Sequence, residues 1–105
     1  MATLNDVEIT EQLAGLAAGW EHAGGAIRKQ FTFQDFPEAV LFVSALVPGA
    51  EAADHHPDIL INYKRVTLTY TTHSEGGLTA KDFEGARAAD EVAEQVPHLS
   101  EFGDG

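Results

Sequence analysis

The residues of this chain best suited to chemistry gather around two adjacent imidazoles, His55 and His56, with Pro57 directly after them. Imidazole titrates close to neutrality, so it can serve as general acid or general base at working pH. Carboxylates stand nearby. Glu51 lies four residues before His55, one helical turn back, where it is placed to hold that ring's orientation and tautomer, and Asp54 adjoins the pair. Pro57 pushes His56 out of the helical region and so marks a helix end. Successive helical residues point about 100° apart, so His55 and His56 serve two roles and not one role twice. His73 and Asp82 follow downstream, whereas His22 and His98 fall at edge and tail positions and are taken as exposed polar residues. A set drawn from His55 or His56, His73, and Glu51 or Asp54 is also chemically able to hold a zinc-like ion, so a metal site stands as one alternative.

Composition narrows the classes. The 105 residues carry 6 Lys and Arg against 17 Asp and Glu, a formal charge of −11. Nucleic-acid and anionic membrane surfaces both demand clustered cations, so direct nucleic-acid binding and membrane binding are not expected. At 44% hydrophobic and 22% charged residues the chain is ordinary globular material. Its length fits one domain, residues 1–105, which buries about two-thirds of its unfolded surface and gains from oligomerisation. There is no cysteine, hence neither disulfide nor thiolate ligand. No basic and apolar leader opens the chain and no apolar run reaches the length of a membrane span, so a cytoplasmic protein is expected.

The elements that must position the histidines are legible from punctuation and periodicity. Asn5 with Glu8 forms a capping box ahead of Ile9, Leu13 and Leu16, which predicts a helix over 6–18 stopped at Gly19. Gly24-Gly25 turns a hairpin between strands 20–23 and 26–34, with Ile27, Phe31 and Phe33 on one face. Asp35 caps a long helix rich in apolar residues, Pro37 fits its first turn, and Leu41 and Phe42 widen its apolar stripe enough to suggest a subunit contact. Pro48-Gly49 inside that helix predicts a kink or broken turn over 44–49. Strands 59–63 and 65–73 follow, the second alternating Val66, Leu68 and Tyr70 with threonines, and Thr79 with Asp82 makes a second capping box. That box opens a last helix with Phe83, Ala86, Ala89 and Ala93 inward, and the tail from Pro97 is expected to fray. Trp20, Phe31, Tyr63 and Tyr70 are assigned to packing. The order α-β-β-α-β-β-α gives an α+β fold, a two-layer four-stranded antiparallel sheet with helices on one face.

The pattern is longer than the dipeptide. Gly19-Trp20, Phe31-x-Phe33, Asp35-Phe36, the run Glu51 to Pro57 (EAADHHP), and His73 followed by Gly77, Leu78, Thr79 and Asp82 stand in order across the chain. From about Leu13 to Val96 this resembles the pterin-4a-carbinolamine dehydratase family. The resemblance implies a dehydratase that removes the 4a-hydroxyl of a tetrahydropterin to give quinonoid dihydropterin, recycling the pterin, with no cofactor. By that resemblance His55 and His73 are acid-base candidates and His56 binds and positions the pterin. Glu51, Asp54 and Pro57 orient the group, and Asp82 serves either the site or only its capping box. Family members often carry an aromatic residue where this chain has Ile59, so ring stacking there gives way to apolar contact. A homodimer or dimer of dimers is also implied. The alternative within the same fold is a non-catalytic dimerisation or interaction protein, as in relatives that partner a homeodomain transcription factor.

Overall fold

A computed structural model describes residues 3–103, with side chains as far as Val96. Helix α1 (Asp6–Ala14) leads into β1 (Glu21–Ala23) and β2 (Ala26–Thr32). Then come α2 (Phe36–Ala53), β3 (Asp58–Asn62), β4 (Arg65–Tyr70), a single 3-10 turn (His73–Glu75) and α3 (Ala80–Gly103). All strand pairs are antiparallel, in the order β1-β2-β4-β3. The register sets Ile27 opposite Tyr70, Lys29 opposite Leu68, and Phe31 opposite Val66. Strand side chains alternate faces, so these residues share one side of the sheet. There they form a core with Ala39, Phe42 and Leu46 of α2 and Phe83, Ala86 and Ala89 of α3. Sheet and helices therefore make the two expected layers.

Several local expectations are met by geometry. Asn5 and Glu8 close a reciprocal capping box, and the Asp35 side chain accepts from the Glu38 N–H at the start of α2. Others are corrected. α1 ends at Ala14 and not near Gly19, because Gly15 and Leu16 tighten the exit with backbone bonds three residues back. Gly19 instead takes φ 110°, the bend that leads into β1. α2 runs unbroken through Pro48. The helical hydrogen bond that proline cannot make would have gone to Ser44, which is exposed, so water can satisfy that carbonyl. Phe42 is wholly buried inside the chain, so it does not form a subunit surface; Phe36, Val40 and Val47 are the exposed large apolar residues of α2.

Two further corrections concern the ends of elements. β4 stops at Tyr70, leaving His73 in the 3-10 turn and not on a strand. Tyr63 does not pack either: it is exposed and occupies the β3–β4 turn with φ 54°. The backbone of α3 continues to Gly103 past the expected fraying point, while the side chains from Pro97 on, His98 included, lie outside the described residues. By length and composition α2 also matches a short membrane span, contrary to expectation, although Ala39, Phe42 and Leu46 face the core.

Candidate functional site

α2 ends at Ala53, and Asp54 takes the left-handed conformation (φ 50°, ψ 44°), its N–H closing the helix onto Ala50 and Glu51. That residue contributes its backbone; its exposed side chain makes no hydrogen bond among the described residues. The left-handed step takes His55 off the helical path. Consequently Glu51 does not meet His55, as one-turn spacing predicts, but meets His56, with Oε2 2.5 Å from Nε2. Both members of that pair are more than half exposed.

His55 finds a different carboxylate. Its Nε2 lies 2.6 Å from Asp82 Oδ1, with the imidazole 12% exposed and Asp82 fully buried. The other carboxylate oxygen of Asp82 accepts from Thr72 Oγ1 (2.8 Å) and from the Thr79 N–H (2.9 Å). Thr79 Oγ1 sits 2.9 Å from Thr72 Oγ1 and accepts from the Lys81 N–H. Because the Thr72 hydroxyl is committed to Asp82, the Thr79 hydroxyl donates to Thr72. Each bond polarises the next in a site closed to water. Asp82 thus belongs to both readings, since the capping carboxylate of α3 is also the anchor of His55.

With Nε2 held by Asp82, Nδ1 is the nitrogen left for a ligand. His55 lines a cleft of about 270 Å³ between the C-terminal half of α2 and the N-terminal half of α3. The walls are mostly small or apolar, including Ala50, Ala53, Gly85 and Ala88, with Tyr70, Lys81 and Glu84 as polar members. His56, Glu51 and Pro57 instead border a groove of about 180 Å³ against Ile59 and Val47. The adjacent histidines therefore open onto different sides of α2. His73 is exposed and lines neither cavity, although its neighbour Thr72 bonds Asp82. Among the described residues no three His, Asp or Glu side chains converge as a metal-binding group.

Sequence reasoning missed a second buried network. Lys29, on the inner face of β2, places Nζ 2.7 Å from Asp90 Oδ1 and 4.7 Å from the Phe31 ring centroid. The Trp20 indole N–H donates to Asp90 Oδ2 at 2.9 Å, and Trp20 also contacts Phe31 and Tyr70. A lysine at an inward period-two position of β2, between Ile27 and Phe31, was the available signal.

Comparisons with known proteins agree with this architecture. Residues 2–92 match the family model described as pterin 4 alpha carbinolamine dehydratase. A relative from Roseiflexus castenholzii, named provisionally as a pterin-4-alpha-carbinolamine dehydratase, is 50% identical over 91 residues, covering 87% of this chain and 97% of the relative. One from Mycobacterium sp. (strain KMS), under the same provisional name, is 43% identical over 90% of this chain and 100% of its own. The crystal structure of a transcriptional coactivator/pterin dehydratase from Brucella melitensis superposes with a TM-score of 0.83 at 38% identity, covering 87% of this chain and 98% of that one. A pterin dehydratase-like RuBisCO assembly factor of the alpha-carboxysome aligns at 21% identity with a TM-score of 0.59, over 70% of this chain and 86% of its own, a likeness of fold alone. On the match across residues 2–92 and these identities, the chain belongs to the pterin-4a-carbinolamine dehydratase family.

Proposed function

We propose that this protein dehydrates 4a-hydroxytetrahydropterins to quinonoid dihydropterins by histidine acid-base catalysis, acting as a cytoplasmic homo-oligomer. The observation that carries the reading is the His55–Asp82 pair. A buried carboxylate fixes one imidazole nitrogen at 2.6 Å and leaves the other uncommitted, on a ring that lines a cleft of mostly small or apolar side chains. Loss of the 4a-hydroxyl as water requires a proton on the departing oxygen and removal of a proton from a ring nitrogen. One positioned imidazole can perform either transfer, each worth about two to four orders of magnitude in rate.

In this reading His55 is one acid-base group and His73, exposed and one residue beyond the Thr72 that bonds Asp82, is the other. His56, steadied by Glu51, contributes to pterin binding from the groove it shares with Pro57 and Ile59 and not from the α2–α3 cleft, and Pro57 and Asp54 fix the chain direction on either side of the pair. No metal or cofactor enters these steps. The test is direct assay of 4a-hydroxytetrahydropterin dehydration by wild-type, His55→Ala and His73→Ala proteins. A wild-type rate no faster than buffer would sink the activity; wild-type rates in both variants would sink the assignment of roles.

The exposed apolar residues Val40 and Val47 of α2 and Ile59 and Ile61 of edge strand β3 support the oligomer, since patches of this kind mark interaction surfaces. They equally suit the second reading, a non-catalytic interaction protein of the same fold, and the Brucella melitensis relative is described as a transcriptional coactivator/pterin dehydratase. An inactive protein that retains a partner through this surface would favour it.

A further inference from the structure

Thr72 stands at the N-terminal cap of the 3-10 turn that begins with His73, a position where a threonine hydroxyl ordinarily accepts from the N–H groups of the turn it opens. No such bond forms here. The hydroxyl reaches across to the start of α3 instead, donating to Asp82 Oδ2 at 2.8 Å and lying 2.9 Å from the Thr79 hydroxyl. Thr72 is 8% exposed and Asp82 fully buried, so the bond is shielded from water. The main chain of Thr72 is fixed as well. Its N–H donates to the Gly77 carbonyl at 3.2 Å, and its own carbonyl accepts from the Glu75 N–H at 3.0 Å, which closes the segment 72–77 on itself with His73 inside it. Thr72 therefore reaches both histidines indirectly. Its side chain holds the carboxylate that anchors His55, and its main chain carries the turn that presents His73.

We propose that Thr72 is a positioning residue of the acid-base site: its hydroxyl fixes the rotation of the Asp82 carboxylate, and through it the tautomer and aim of His55, while locking the His73 turn to α3. This rests on the dehydratase reading and adds to it a residue that touches no substrate. The terminal torsion of an aspartate is broad, so a carboxylate held at one oxygen can swing, whereas donors on both oxygens leave it one orientation. The Thr79 N–H reaches the same oxygen as Thr72, but it belongs to the cap of α3. Among the described residues only Thr72 joins the carboxylate to the segment that bears His73. Its β-branched side chain, stiff at χ1, suits that task.

The test measures steady-state dehydration and the imidazole ¹⁵N spectrum of wild-type, Thr72→Val and Thr72→Ser proteins, with thermal melting to confirm folding. Valine keeps the branched shape and removes the donor; serine keeps the donor. Thr72→Val should lose about ten- to hundredfold in kcat, the size of one hydrogen bond to a charged group, with KM within about twofold of wild type. Thr72→Ser should recover most of that loss. In the wild-type spectrum His55 should be protonated at Nε2, and in Thr72→Val it should be a mixture of tautomers. Added to Asp82→Asn, the valine should lower kcat little further, because the hydroxyl acts through a carboxylate already replaced. A valine variant within about twofold of wild-type kcat, a serine variant slowed more than about tenfold, or additive losses with Asp82→Asn would overturn the Thr72 assignment alone. If the valine variant does not fold, the serine variant decides together with the wild-type spectrum, in which an unprotonated His55 Nε2 would overturn the assignment. A wild type that does not accelerate dehydration would overturn it together with the dehydratase reading.

Discussion

His55 and Asp82, 27 residues apart in sequence, meet at 2.6 Å because the left-handed step at Asp54 and the first turn of α3 aim both side chains into the same interior corner. Asp82 has no slack there: its two oxygens serve His55, Thr72 and the Thr79 N–H. In Asp82→Asn the new amide must turn its N–H₂ toward either His55 or the donors at Thr72 and Thr79. Turned toward Thr72 and Thr79 it leaves those donors without an acceptor, at about 1–3 kcal/mol, and turned toward His55 it keeps the contact only by forcing the ring proton onto Nδ1. Expected outcomes are a lower melting temperature in calorimetry and a fall in dehydration of about 100-fold or more as His55 loses its fixed tautomer.

A second carboxylate supports the fold without entering the cleft. Asp90 joins Lys29 and Trp20 in a partly buried group, with the Lys29 and Asp90 side chains 15% and 11% exposed. Asp90→Ala leaves the lysine charge largely desolvated and the indole N–H without its acceptor. Removing one member of such a pair costs about 3–5 kcal/mol. A chemical denaturation midpoint close to wild type would show that water replaces the carboxylate.

Pro48 acts against the helix that contains it. α2 remains helical on both sides of it, and Pro48 is exposed, so an alanine there restores an N–H within reach of the Ser44 carbonyl and creates no clash. An interior proline is about 3 kcal/mol worse than alanine. Pro48→Ala should therefore raise stability by about 1–3 kcal/mol, or several degrees in melting temperature, with dehydration unchanged because the helix that carries Glu51 and leads into His55 and His56 is already intact. A lower melting temperature would mean that the proline relieves strain elsewhere.

The legibility of these features in sequence follows the range of the interaction. Capping at Asn5 and Asp35, the four strands and the inward faces of β4 and α3 depend on residues within a turn or a strand period of one another, and each was readable. The partner of His55 was not, because one left-handed residue at Asp54 reassigns Glu51 to His56 and brings Asp82 to His55. Periodicity assumes that a helix continues, and it carries no signal for a single αL step in a non-glycine residue. Lys29 went unassigned for the complementary reason: its strand position faces inward between Ile27 and Phe31, and the carboxylate that accommodates its charge there, Asp90, is 61 residues away.

The apolar surface of α2 and β3 predicts an assembly. Val40, Val47, Ile59 and Ile61 are all at least 36% exposed, and β3 is an edge strand with one side unpaired among the described residues. Sedimentation of the wild type should show a dimer or larger species. Val40→Glu with Val47→Glu, both on the solvent side of α2, should shift it to monomer without loss of secondary structure. A wild type that sediments as a stable monomer would remove the homo-oligomer from the proposal.

Tyr70 also sets a limit on alkaline stability. Its phenol is pushed from 10.0 to about 12 in the folded chain by burial first, then by Asp82 and Asp90. A group whose folded value is raised binds its proton more tightly in the native state. Its contribution is complete below pH 10, where both states are protonated, and is lost as pH rises toward 12 and the unfolded chain ionises first. Two units correspond to about 3 kcal/mol across that window. Urea unfolding of the wild type should therefore weaken between pH 10 and pH 12 by more than that of Tyr70→Phe, while below pH 9 the difference between them should stay constant. Parallel curves through pH 12 would show that Tyr70 ionises as readily in the native chain as in the unfolded one.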